Sequence, residues 1–93
     1  MAHALVANVN LEGRNTEETD RVLNEQVIPA VKQAPGFKSG VWARSQDGKV
    51  GIGVVVFDSE SNAKAAEQAM PNMRPQNAPP MTSLAVYEVT GQA

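Results

Sequence analysis

The chain has 93 residues, of which 42% are hydrophobic and 19% charged, with a net charge of −2 and no cysteine. That length suits one folded domain, residues 1–93, with a modest core; disulfides and thiolate metal sites are excluded, and the lone His3 cannot build a metal site by itself. Acidic and basic residues are interspersed, which argues against a nucleic-acid partner, and no apolar run approaches the ~20 residues of a membrane span. The opening stretch MAHALVANVNLEG lacks the basic start and long apolar core of a secretory signal, so a cytoplasmic location is expected.

In chain order, ALVANVNL (residues 4–11) reads as a strand, with Leu5, Ala7, Val9 and Leu11 on one parity and Val6, Asn8 and Asn10 on the other. Asn15 or Thr16 can cap a helix by accepting the free N–H groups of its first turn, with Glu17, Glu18 and Asp20 at the positive end of its dipole. Val22, Leu23, Val27, Ile28, Ala30, Val31 and Ala34 then form an apolar face. Pro29 lacks an N–H and clashes with the carbonyl of Glu25, which predicts a kink or short break within one helix. Pro35-Gly36 ends it. Phe37 to Ser45 reads as a second strand, Gln46-Asp47-Gly48 as a hairpin turn and Lys49 to Phe57 as a third strand rich in β-branched residues. Asp58 or Ser59 caps an alanine-rich helix, SNAKAAEQAM, which Pro71 is expected to stop. A proline-rich loop follows, then a fourth strand, Thr82 to Thr90.

The order β-α-β-β-α-β is that of the ferredoxin-like α+β fold, with both helices on one face of a four-stranded antiparallel sheet. The third and fourth strands are apolar on both parities, unlike a sheet with one face in water. The helix-free face is therefore expected to be covered by a second copy of the chain, giving a homodimer. Self-association also suits a chain too short for a large core.

With "PGF" after the first helix, a "FDSESNAKA" strand-to-helix step and a final "VYEV" strand, the chain resembles the dimeric α/β-barrel superfamily, and within it the antibiotic biosynthesis monooxygenase-like branch. The resemblance covers nearly the whole chain and rests on structural motifs. It implies a homodimer whose two sheets form a barrel, with ligands held between sheet and helices of each protomer. Members of that branch include cofactor-free oxygenases of aromatic polyketides and haem-degrading enzymes. The haem-degrading pattern of a strand-1 Asn, a strand-3 Trp and a His in or after the second helix falls on Ala7, on Phe57 and on no histidine at all. No cofactor and no metal are therefore expected.

Several residues are candidates for a ligand pocket. Gly51 and Gly53 share a parity with Phe57; they either relieve close packing or a bulge, or form a pocket floor with Phe57 as a wall. Trp42 and Arg44 lie together on an edge strand. Trp42 serves either as a packing anchor or as a ligand contact, and Arg44 either meets solvent or pairs with an acidic ligand. Asn8, on a central strand, needs a partner across the dimer or on a polar ligand. Tyr87 either packs with its hydroxyl at the rim or holds a substrate hydroxyl. Met73 and Arg74 flank the proline-rich loop, which serves as a connector or lines a site. No Ser/His/Asp set and no phosphate-binding glycine loop is present. The expected function is binding of a small apolar or aromatic ligand between sheet and helices. The alternatives are a cofactor-independent monooxygenase acting on an aromatic or quinol-type substrate, and a purely structural pairing module.

Overall fold

The computed structural model describes residues 2–93. Four strands, β1 (His3–Asn10), β2 (Phe37–Arg44), β3 (Val50–Phe57) and β4 (Met81–Glu88), form one antiparallel sheet in the order β2-β3-β1-β4. This is the ferredoxin-like α+β arrangement read from the sequence, and the strand limits differ from that reading by at most two residues at any end. The turn between β2 and β3 is built by its own side chains. Asp47 Oδ1 accepts from the Ser45 hydroxyl at 2.6 Å and from the Lys49 N–H at 3.0 Å, and Gly48 takes φ +76°.

The first helical segment comprises α1 (Thr16–Val22), a π-helical turn (Leu23–Val27) and α2 (Ile28–Lys32). Asn15 is its cap, accepting from the Glu18 N–H at 3.0 Å. The expected irregularity at Pro29 falls in the turn just before it. Pro29 has no N–H for the Glu25 carbonyl, and the Ile28 N–H bonds the Leu23 carbonyl, one residue further back than in an α-helix. The path thus bends without breaking into two separate helices. It closes at Gly36, φ +79°, where an added Cβ would lie 2.4 Å from Asp58 Oδ1 and from Asn62 Nδ2.

Helix α3 (Glu60–Met73) is capped by Ser59, which accepts from the Asn62 N–H at 3.1 Å. Pro71 does not stop it, contrary to the sequence expectation. The helix continues to Met73 with Pro71 inside its last turn, forgoing the one bond its N–H would give the Glu67 carbonyl. It ends at Arg74, which is extended (φ −77°, ψ 136°), as Pro75 disfavours the helical conformation in the residue before it.

The helix-side core contains Leu5, Val31, Val55, Phe57, Ala63 and Ala66. Helix α3 presents Ala63 and Ala66 to this core, so it lies close on β1, β3 and β4. The first segment carries Leu23, Val27, Ile28 and Val31 on its inner side, and these longer side chains hold its backbone further from the sheet. On the opposite sheet face Val41, Val50, Ile52 and Tyr87 stand exposed. Among the described residues no helix is long and apolar enough to cross a membrane.

The close seat of α3 requires small residues. Ala63, fully buried, replaced by leucine is expected to destabilise the chain by about 1–3 kcal/mol through overpacking. The exposed Ala65→Leu is expected to change stability by less than ~0.5 kcal/mol. Urea denaturation of the two variants beside the parent measures the difference; equal effects would contradict the close contact.

Candidate functional site

Because α3 sits tightly and the first helical segment does not, a cavity of about 420 Å³ opens between that segment and the sheet. Its sheet wall follows strand parity. The side chains of Leu5, Ala7 and Val9 point into it from β1, Trp42 and Arg44 from β2, and Gly51, Gly53 and Val55 stand on β3. The helical wall is Val22, Leu23, Val27, Ile28 and Val31, with Thr19, Asp20 and Asn24 toward its polar side. Met70 and Arg74 of α3, together with Ala78, Pro79 and Met81, close the side near β4.

Trp42 is the aromatic residue of this lining, and glycine backbone positions it. In register it faces Gly53 across the β2–β3 pair, and Gly40 precedes it by two residues on the same face. A Cβ on Gly53 would come 2.8 Å from the indole Nε1, and one on Gly40 would come 2.7 Å from Cη2. The ring therefore occupies the space that two missing side chains leave. Gly51 is covered differently, by Val9 Cγ2 at 2.8 Å and Leu11 Cδ1 at 3.1 Å from its ideal Cβ. Both β3 glycines border the cavity, and sheet side chains rather than a helix pack over them.

Two arginines reach the cavity in different electrostatic settings. Arg44 Nη1 donates to Asp20 Oδ1 at 2.7 Å and Nη2 to Oδ2 at 3.4 Å, a fork that ties β2 to α1. The hydrogen bond from Arg44 holds the Asp20 carboxyl below its ordinary range, and the same bond raises Arg44. Arg44 is thus engaged by a carboxylate of its own chain. Arg74 donates to the Pro79 carbonyl. Burial, and then the charge of Arg14, lower its pKa. Arg14 in turn donates to the Asn77 carbonyl at 3.2 Å.

Of the residues singled out in the sequence, Trp42, Arg44, Gly51, Gly53 and Arg74 come together around this cavity. Phe57, expected as a wall, is sealed in the core at 1% exposure. Asn8 points to the opposite face, where its Nδ2 donates to Ser83 Oγ at 2.9 Å, so its amide is partnered within the sheet. Tyr87 lies on that face too, 56% exposed. Met73 is exposed at the end of α3, outside the lining, whereas Met70, one turn earlier, is inside it. Read from the sequence, Asp20 has only a place at the positive end of the helix dipole. Its spacing to Leu23 and Val27 puts a carboxylate on the apolar face, a signal that marks it as facing the sheet. Among the described residues no group of three or more His, Cys, Asp or Glu assembles as a metal site.

No protein-family model matches the chain, and no curated protein matches it either. Solved structures do. SnoaB, a cofactor-independent oxygenase from Streptomyces nogalater, superposes with a TM-score of 0.71 at 13% identity, over 98% of this chain and 95% of that one. The monooxygenase from the gene ActVA-Orf6 of Streptomyces coelicolor, solved with nanaomycin D, gives 0.64 at 16% identity, over 99% and 90%. The haem degrader MhuD from Mycobacterium tuberculosis, solved with two haems in its active site, gives 0.67 at 22% identity, over 100% and 99%. End to end, then, the chain has the ferredoxin-like fold of the antibiotic biosynthesis monooxygenase-like proteins.

Proposed function

We propose that this protein is a small oxygenase that takes a reduced, hydroxylated aromatic substrate into the cavity beside Trp42 and oxidises it without a bound cofactor. The observation that carries this reading is the cavity itself. It is predominantly apolar, its volume of about 420 Å³ falls within the ~300–1,000 Å³ of small-molecule sites, and it lies in a fold shared with SnoaB and the ActVA-Orf6 monooxygenase.

The residues present suit a reaction driven by the substrate. The lining contains no His, Cys or Tyr, and its carboxylate, Asp20, is kept ionised by Arg44 and is a weak proton acceptor. The electrons and the acidity must then come from the substrate. A ring CH₂ activated by neighbouring hydroxylated rings becomes a carbonyl; one oxygen atom of O₂ is retained, and the other leaves as water with the two displaced hydrogens. The substrate supplies all four electrons. The protein holds the ring against Trp42 and keeps water from the reacting carbon. The haem chemistry of MhuD suits the lining less well, because it offers no imidazole, thiolate or phenolate to the iron.

An oxygen electrode with a panel of hydroxylated anthrones, whose ring CH₂ becomes the carbonyl, tests the reading. The parent is expected to consume one O₂ per substrate oxidised. Gly53→Val, which displaces the indole, and Trp42→Ala, which removes it, are expected to lower the rate by roughly 10- to 100-fold through misplacement of the ring. An inert parent across the panel would sink the oxygenase reading.

We also propose that the working form is a homodimer in which the helix-free sheet faces meet. Val41 at 66% exposure, with Val50, Ile52 and Tyr87, makes an apolar surface of a kind that lone soluble chains seldom leave in water. Sedimentation velocity at micromolar concentration is expected to show a dimer, and the double variant Val41→Glu/Ile52→Glu a monomer. A parent that sediments as a single chain would refute the pairing.

A further inference from the structure

The charge lining the cavity does not balance. Asp20 and Arg44 cancel each other in a forked ion pair. Arg74 has no such partner. Among the described residues no carboxylate lies within ion-pair distance of it, and its hydrogen bond goes to the neutral Pro79 carbonyl. The charge that acts on it is that of Arg14, a second cation. The remaining lining is apolar or neutral, with Thr19 and Asn24 as its other polar side chains and the Asn24 amide already donating to the Asp20 backbone carbonyl at 2.8 Å. A guanidinium carries five N–H donors in a planar fork. One bond to Pro79 leaves most of them for a planar anion, which Arg receives in two parallel hydrogen bonds.

On the reading that an aromatic ligand enters the cavity, we propose that this ligand carries an anionic substituent, a carboxylate or an equivalent oxyanion, which Arg74 binds while the rings lie toward Trp42. Burial penalises a guanidinium that has no carboxylate beside it, so an anion arriving there relieves a cost already present in the free protein. Arg74 would be the residue that selects acidic aromatic molecules over neutral ones of the same shape.

Two fluorescent probes that differ by one charge test this: 1-anilinonaphthalene-8-sulfonate and its uncharged counterpart N-phenyl-1-naphthylamine. Titrated into the parent and into Arg74→Met, the sulfonate is expected to lose about tenfold or more in affinity in the variant, and the neutral probe less than about twofold. Raising salt to about 0.5 M should weaken the sulfonate alone in the parent, a readout that holds even if Arg74→Met fails to fold. Equal losses for both probes would mean that Arg74 only braces the Pro79 loop. No loss for either, or no selective effect of salt, would equally overturn the anion site. Failure of the neutral probe to bind the parent would sink the aromatic-cavity reading along with it.

Discussion

The distance at which each helix rides above the sheet decides where this protein can hold anything. Helix α3 offers Ala63 and Ala66 to β1, β3 and β4 and closes on them. Alanine buries little area per residue but lets backbones approach, so that flank becomes solid core around Leu5, Val55 and Phe57. The first helical segment brings Leu23, Val27, Ile28 and Val31 to the same sheet and cannot come as near. A domain with two equally close helices would have no cavity. One with two equally distant helices would leave Phe57 and its neighbours poorly packed.

The chemistry of the cavity follows from what the sheet omits. Gly40 and Gly53 clear a place for the Trp42 ring, and the Asp20–Arg44 fork fixes α1 to the end of β2. The result is a largely apolar chamber with a neutralised ion pair at the β2 edge and an uncompensated guanidinium near the β4 edge. Such a chamber has little means of acid–base catalysis near neutral pH. On the oxygenase reading proposed above, its means are exclusion of water, an aromatic surface and one fixed charge, which suit a substrate that is itself reactive.

Strand parity made much of this legible in advance. The period of two grouped Leu5, Ala7 and Val9 on the first strand and Gly51, Gly53 and Val55 on the third, sets that the β1–β3 register brings to one face, and the doubly apolar third and fourth strands marked a second face that water does not suit. The same parity, carried through the β1–β3 and β1–β4 registers, puts Asn8 and Tyr87 away from the cavity once the helix face is known. The irregularity of the first helical segment was marked by Pro29, which has no N–H for the Glu25 carbonyl, though not its form as a π-helical turn. Other features had no such mark. Pro71 reads as a stop because local chemistry says so, yet the helix runs two residues past it before Pro75 ends it at Arg74. The pairing of Asp20 with Arg44 joins residues 24 positions apart, which no local pattern encodes. Met70 rather than Met73 lines the cavity because of the rotation of α3 over the sheet, a tertiary outcome.

The glycine bed under Trp42 has a further consequence. Where that ring rests, the sheet presents bare peptide planes instead of methyl groups. Lifting the indole would therefore uncover a flat, ring-sized recess lined by amides, which rigid hydrogen-bonded strands cannot close by collapsing inward. The tryptophan ring thus fills a slot of its own shape, and its seat on Gly40 and Gly53 sets the depth of the chamber on that side.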